Sequence, residues 1–150
     1  MAIDRANPAQ YPPNIQAILK RPAPAAVLLG QDLLDVDASA GLVRVAYVVS
    51  EALANRFGAL HGGMTAAMMD DVISLAAGLS VEWGQITPTL EMKVSYIRQG
   101  KLGSRLVGTA KTVRRGSTVA FIEAELVDET GALIATGSST IAITPLKRPG

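Results

Sequence analysis

Two adjacent carboxylates, Asp70 and Asp71, interrupt the longest apolar stretch of the chain, residues 64–79. A carboxylate in such a setting is costly to bury unless it is partnered or functional. At least one of the pair is therefore a candidate general base or nucleophile. Successive positions on a helix point about 100° apart, so the two do not serve one site. The helix neighbours of Asp70 are Ala66, Ala67, Ile73 and Ser74, whereas Asp71 lies beside the bulkier Met68 and Leu75. Room beside the side chain favours Asp70 as the active group and leaves Asp71 as a capped or solvated carboxylate.

Just before this stretch stands His61-Gly62-Gly63, preceded by Asn55. A helix starting there would present unpaired N–H groups and the positive end of its dipole, and glycine lets a ligand oxygen come close to them. A carbonyl gaining negative charge would be stabilised at such a place. Two glycines would equally serve a tight turn into the helix. His61, the only histidine, would equally be a loop residue bonded to a backbone carbonyl. One histidine and no cysteine leave a catalytic zinc set to be completed by carboxylates alone, so no metal is expected. No Gly-x-Ser-x-Gly elbow supports a serine triad.

The elements that must position these groups follow from the pattern. Pro8, Pro12, Pro13, Pro22 and Pro24 exclude long regular structure from the first 24 residues. A short helix over 13–20 fits between them. Val- and Leu-rich segments 25–36 and 42–49 predict a hairpin around the turn 37–41. A polar loop, 50–60, leads to the helix over 64–78, apolar nearly all round and so buried on most sides. Strands over 89–97, 105–113, 119–127 and 133–143 follow, separated by turns at Gly103, at Arg115-Gly116 and at 128–131. Strands segregated from one long helix give an α+β domain over 25–145, an antiparallel sheet wrapped around that helix, behind an extension 1–24. The tail 145–150 is expected to be frayed.

Composition narrows the function. With 49% hydrophobic residues in 150, the chain can build one core without staples. Absence of cysteine fits a reducing compartment, and no export signal or membrane span is visible, so a cytoplasmic location is expected. Fourteen Lys and Arg against thirteen Asp and Glu give a net charge of +1, too little to hold a polyanion, and aromatics at 4% offer few stacking platforms. Nucleic acid is not an expected partner.

Asn55, six residues on His61-Gly62-Gly63, and Asp70 nine beyond the histidine together resemble the hotdog acyl-CoA thioesterases of the phenylacetic-acid-pathway type. The similarity runs from about residue 43 to 143 and includes the segment 92–103. The resemblance implies a hotdog fold paired into dimers whose active sites lie between subunits, commonly with two dimers in a tetramer. Geometry agrees: seven residues separate Gly63 from Asp70, about 10 Å along a helix. One chain does not bring both to a single carbonyl.

The resemblance further implies hydrolysis of an aryl- or medium-chain acyl-CoA without a cofactor. Asp70 of one subunit would act as general base or nucleophile, and the Gly62 N–H of the other would polarise the thioester carbonyl. Asn55 and His61 would orient carbonyl and loop, with Gly63 beside them. A hydroxyl that positions water in similar enzymes matches Thr89, with Thr87 two residues away. CoA phosphates need cations or backbone nests, and Arg114, Arg115, Gly116 and Ser117 stand where similar enzymes place part of the nucleotide site. That segment would equally be an ordinary solvated turn. A dehydratase of this fold would want a second histidine, which is absent. A noncatalytic acyl-CoA-binding protein that retains Asp70 is the remaining alternative.

Overall fold

A computed structural model describes residues 2–146. Proline in the first helical turn loses no hydrogen bond and presets φ. Two short helices start this way: α1, Pro13–Lys20, and α2, Pro24–Leu28. The first has the expected bounds. The second replaces the start of an expected strand, because Gly30 at φ 67 closes it. Gly30 N–H reaches Val27 O at 3.1 Å and Gln31 N–H reaches Ala26 O at 2.9 Å, a double C-terminal closure that outweighs local β propensity.

The hairpin therefore comprises β1, Asp32–Asp37, and β2, Leu42–Val48. Its turn is held by Asp37 Oδ1, which accepts from the N–H groups of Ser39 and Ala40 at 2.9 and 3.0 Å. The long helix, α3, spans Gly62–Leu79 and begins two residues earlier than the pattern suggests. Met68, Met69, Val72, Ile73, Leu75, Ala76 and Ala77 on it are all buried. Its C-terminal carbonyls are capped by Ser80 Oγ, donating to Ala77 O at 2.7 Å, and by Asn14 Nδ2 from α1, donating to Gly78 O at 2.8 Å. Ile15 of α1 is fully buried, so the N-terminal segment joins the core.

After α3 come β3, Gln85–Ile86; β4, Thr89–Tyr96; β5, Arg105–Arg115; β6, Val119–Asp128; β7, Leu133–Ala142; and β8, Thr144–Pro145. Six of the strands form one sheet in the order β1-β2-β5-β6-β7-β4, every neighbouring pair antiparallel. The sheet curves around α3, and Tyr47, Leu106, Ile122, Leu126 and Ile141 from its inner face close the core with the helix. Each such side chain, fully buried, contributes about 1.5–3 kcal/mol. This is the hotdog arrangement. No helix among the described residues is long and apolar enough to cross a membrane.

Two expectations need correction. β3 pairs with β8, and Leu146 N–H donates to Gly84 O at 2.8 Å, so Pro145 and Leu146 are not frayed. The remaining tail, 147–150, lies outside the described residues. β5 also runs on through Arg114 and Arg115, so the turn itself is formed by Gly116, Ser117 and Thr118.

Candidate active site

His61 is the N-cap of α3, and its Nδ1 accepts from Gly63 N–H at 3.0 Å. That bond assigns the ring proton to Nε2, which becomes a donor on the outer side of the helix start. It also occupies the Gly63 N–H. Gly62 N–H has no acceptor among the described residues and lies at the positive end of the dipole. A Cβ at Gly62 would meet only the Tyr96 ring, at an ordinary contact distance of 3.7 Å, so the Tyr96 ring lies beside this N–H.

The loop before α3 is pinned at both ends. His61 N–H donates to Leu53 O at 2.9 Å, and Leu60 N–H donates to Gly100 O at 2.8 Å. Inside it, Asn55 Oδ1 accepts from the N–H groups of Phe57 and Ala59 at 2.9 and 3.3 Å. The side-chain oxygen is thus spent on the loop, while the Asn55 amide nitrogen has no acceptor among the described residues. Asn55, Gly62, Thr65, Tyr96, Arg98 and Gln99 line a groove of about 350 Å³. The structure therefore brings Asn55 and Gly62 together on one groove, with His61 next to Gly62 in the chain but outside the lining. Tyr96 and Arg98, to which the sequence pattern assigned no role, share the groove. Arg98 spends one donor, Nη1, on Leu133 O at 3.0 Å and forms no ion pair among the described residues.

Asp70 lies elsewhere, partly buried two turns along α3, where Thr89 Oγ1 donates to its Oδ1 at 2.9 Å. Its Oδ2 has no partner among the described residues. Gly62 and Asp70 of one chain are about 12 Å apart along the helix axis at its regular rise.

Asp71, expected to be a capped or solvated carboxylate, is held by side chains from outside α3. Its Oδ2 accepts from Tyr47 Oη at 2.7 Å and from Gln31 Nε2 at 2.8 Å, and its Oδ1 from Gln31 Nε2 at 2.9 Å. Burial pushes its carboxyl above the usual carboxylate range, against the pull of the Gln31 and Tyr47 hydrogen bonds. Burial and the neighbouring Asp71 raise the Tyr47 phenol as well.

The basic segment is split by the pleat. Arg114 pairs with exposed Phe121 and Arg115 with buried Ala120, so the two arginines leave β5 on opposite faces. Thr112 Oγ1 donates to Ala76 O at 3.3 Å, which sets this hairpin beside the C-terminal half of α3, about 20 Å along the axis from Gly62 of the same chain.

Comparison with known proteins agrees with this architecture. The Thioesterase superfamily model matches residues 57–135. Human acyl-coenzyme A thioesterase 13 is 37% identical over 106 residues, 70% of this chain and 75% of the relative. The phenylacetic acid degradation-related protein of Ralstonia eutropha superposes with a TM-score of 0.77 at 35% identity, over 82% of this chain and 92% of its own. The PaaI protein of Escherichia coli shares the fold, with a TM-score of 0.80 at 20% identity over 93% and 95% of the two chains. With the family match spanning more than half of its 150 residues, the chain belongs to the thioesterase superfamily, as a hotdog-fold thioester hydrolase of the acyl-CoA thioesterase family and the phenylacetic-acid-pathway type.

Proposed function

We propose that this chain hydrolyses an aryl- or medium-chain acyl-CoA to free acid and CoA, at sites shared between two copies. The observation that carries the proposal is the division of labour within one chain. An unpartnered Gly62 N–H opens onto a groove, and Asp70 with its Thr89 partner lies about 12 Å away along α3. A second copy, related by a two-fold axis, supplies each half with the other. The free edge of β4 supports this pairing: it has a strand neighbour on one side only and carries Leu90, Tyr96 and Ile97 around its ends, each at least half exposed.

In such a site Gly62 N–H of one protomer, with the Asn55 amide and the His61 Nε2–H nearby, receives the thioester carbonyl oxygen. Thr89 fixes one oxygen of Asp70, leaving Oδ2 to take a proton from water as the water oxygen attacks the carbonyl carbon. Collapse of the tetrahedral intermediate breaks the C–S bond, and the CoA thiolate leaves with the proton that Asp70 had taken, which restores the carboxylate. Direct attack by Oδ2, through an anhydride that water then opens, uses the same geometry. Arg114, Arg115, Gly116 and Ser117 are assigned to the CoA phosphates, and Gly63 to the carbonyl side of the site. We assign residues 1–24 to an extension and 25–145 to the hotdog domain, in a cytoplasmic homodimer that pairs into a tetramer.

Thiol release from a panel of aryl and alkyl acyl-CoAs, with Asp70→Asn as the matched variant, tests the proposal. Turnover that depends on Asp70 supports it. Binding of acyl-CoA with no thiol released would favour a noncatalytic role instead.

A further inference from the structure

A helix that is apolar nearly all round is poorly fixed about its own axis, because rotation exchanges one apolar side chain for another. α3 is such a helix, and Met64, Met68 and Met69 soften its packing further, since methionine refits many cavities. Turning it by one residue position, about 100°, would carry Asp70 away from Thr89.

Asp71 removes this degeneracy. Its two oxygens accept three bonds of 2.7 to 2.9 Å from Tyr47 and Gln31, groups that lie outside the helix. The surroundings are shaped for this cluster. Tyr47 on β2 is fully buried, and it has space because residue 108 on β5 is glycine: a Cβ there would come within 3.4 Å of the Tyr47 ring and 3.3 Å of Val72. Gln31 is delivered by the Gly30 closure that ends α2. Polar clusters of this kind are poor stabilisers compared with apolar side chains of similar volume, and their best-attested use is to specify one register among several.

We infer that Asp71, Tyr47 and Gln31 are positioning residues, which together set the rotation of α3 that aims Asp70 at Thr89 and at the cleft between subunits. The inference rests on Asp70 being the base or nucleophile, and it concerns how that group is held.

The test combines steady-state hydrolysis of phenylacetyl-CoA, or of whichever panel acyl-CoA turns over fastest, with thermal unfolding. The variants are Asp70→Asn, Tyr47→Phe, Gln31→Leu, Asp71→Asn and the double variant Asp71→Leu/Tyr47→Phe. The double variant should unfold within a few degrees of the parent, yet lose about tenfold or more in kcat with KM changed by less than about twofold, because misaimed catalytic groups cost rate and not binding. Asp71→Asn keeps an acceptor for the Tyr47 hydroxyl and should stay within about threefold of the parent kcat. Parental kcat in the double variant overturns the inference, as does a loss of kcat that only follows a falling folded fraction. Should the double variant not fold, Tyr47→Phe and Gln31→Leu decide: a loss of about threefold or more at unchanged KM and full folding supports the role, and parental kcat in both sinks it. Retained turnover in Asp70→Asn would sink the reading of Asp70 itself. An inactive Asp70→Asn beside a fully active double variant sinks the positioning role alone.

Discussion

Thr89 Oγ1 donates to Asp70 Oδ1 across 2.9 Å, tying the middle of α3 to the first residue of the edge strand β4. One residue on, Asp71 is tied to Tyr47 on β2, toward the opposite margin of the sheet. Successive carboxylates thus brace one helix against both sides of the sheet that enfolds it. Both are partly buried, and their different surroundings separate a carboxylate with a free oxygen from one whose oxygens are both engaged.

Asp70→Asn should lower thioester turnover about a hundredfold or more, the usual cost of losing a general base. The amide still accepts from Thr89, so the dimer should stay folded, with unchanged elution on size exclusion. Thiol release under single-turnover conditions checks the chemical step directly, and unchanged turnover would move the assignment away from Asp70.

Much of the fold was legible because its signals are local. Pro13 marks the start of α1, the turn 37–41 contains its own acceptor in Asp37, and the proline-free run rich in Ala, Met and Leu announces α3. What escaped depends on contacts distant in sequence. The partners of Asp71 lie 24 and 40 positions away in Tyr47 and Gln31, so nothing around it distinguished an anchored carboxylate from a solvated one. Tyr96 and Arg98 reach the Gly62 groove only because the chain passes back along the helix start after α3. The β3–β8 pair likewise joins segments too short to be seen as strands until they meet. In the candidate site, spacing nominated residues for the chemistry, while the sharing of work proposed for them needed the helix axis.

Arg98 is a cation of the groove beside Gly62, additional to Arg114 and Arg115, which lie toward the other end of α3 of the same chain. Arg98→Gln should raise KM for acyl-CoA about fivefold or more by removing charge-assisted bonds to the anionic carrier, with little change in kcat. The same variant should treat an acyl N-acetylcysteamine thioester, which lacks phosphates, like the parent. Equal losses on both substrates would show that Arg98 shapes the groove and does not read the carrier.

Asp71 predicts a pH dependence of stability. Its carboxyl titrates above the ordinary value of 3.8 in the folded chain because burial disfavours the charge. Between that value and its folded one, the native state holds more protons than the unfolded state, so this group's contribution to stability falls as pH rises. Asp71→Asn removes the loss. Its Tm relative to the parent should therefore increase from about pH 4 upward and level off once the folded carboxyl has ionised. A constant difference across that range, measured in scans at fixed ionic strength, would mean that Asp71 is not burdened by its burial.

Gly63→Ala separates stability from function at the start of α3. An added Cβ would stand 3.1 Å from His61 Nδ1 and 3.3 Å from Cε1, tight enough that the ring must shift by a few tenths of an ångström, and it is expected to give up the Gly63 N–H that it caps. Losing the cap costs about 1 kcal/mol, while replacing glycine by alanine inside a helix returns about 0.5–1 kcal/mol. The two nearly cancel, and Tm should move little. Turnover should still fall about tenfold, because the displaced ring carries its Nε2 donor away from the place where the carbonyl oxygen is received. Measured together, an unchanged Tm with reduced kcat supports a working role for the His61 orientation. Full activity with the ring displaced would reduce His61 to a helix cap.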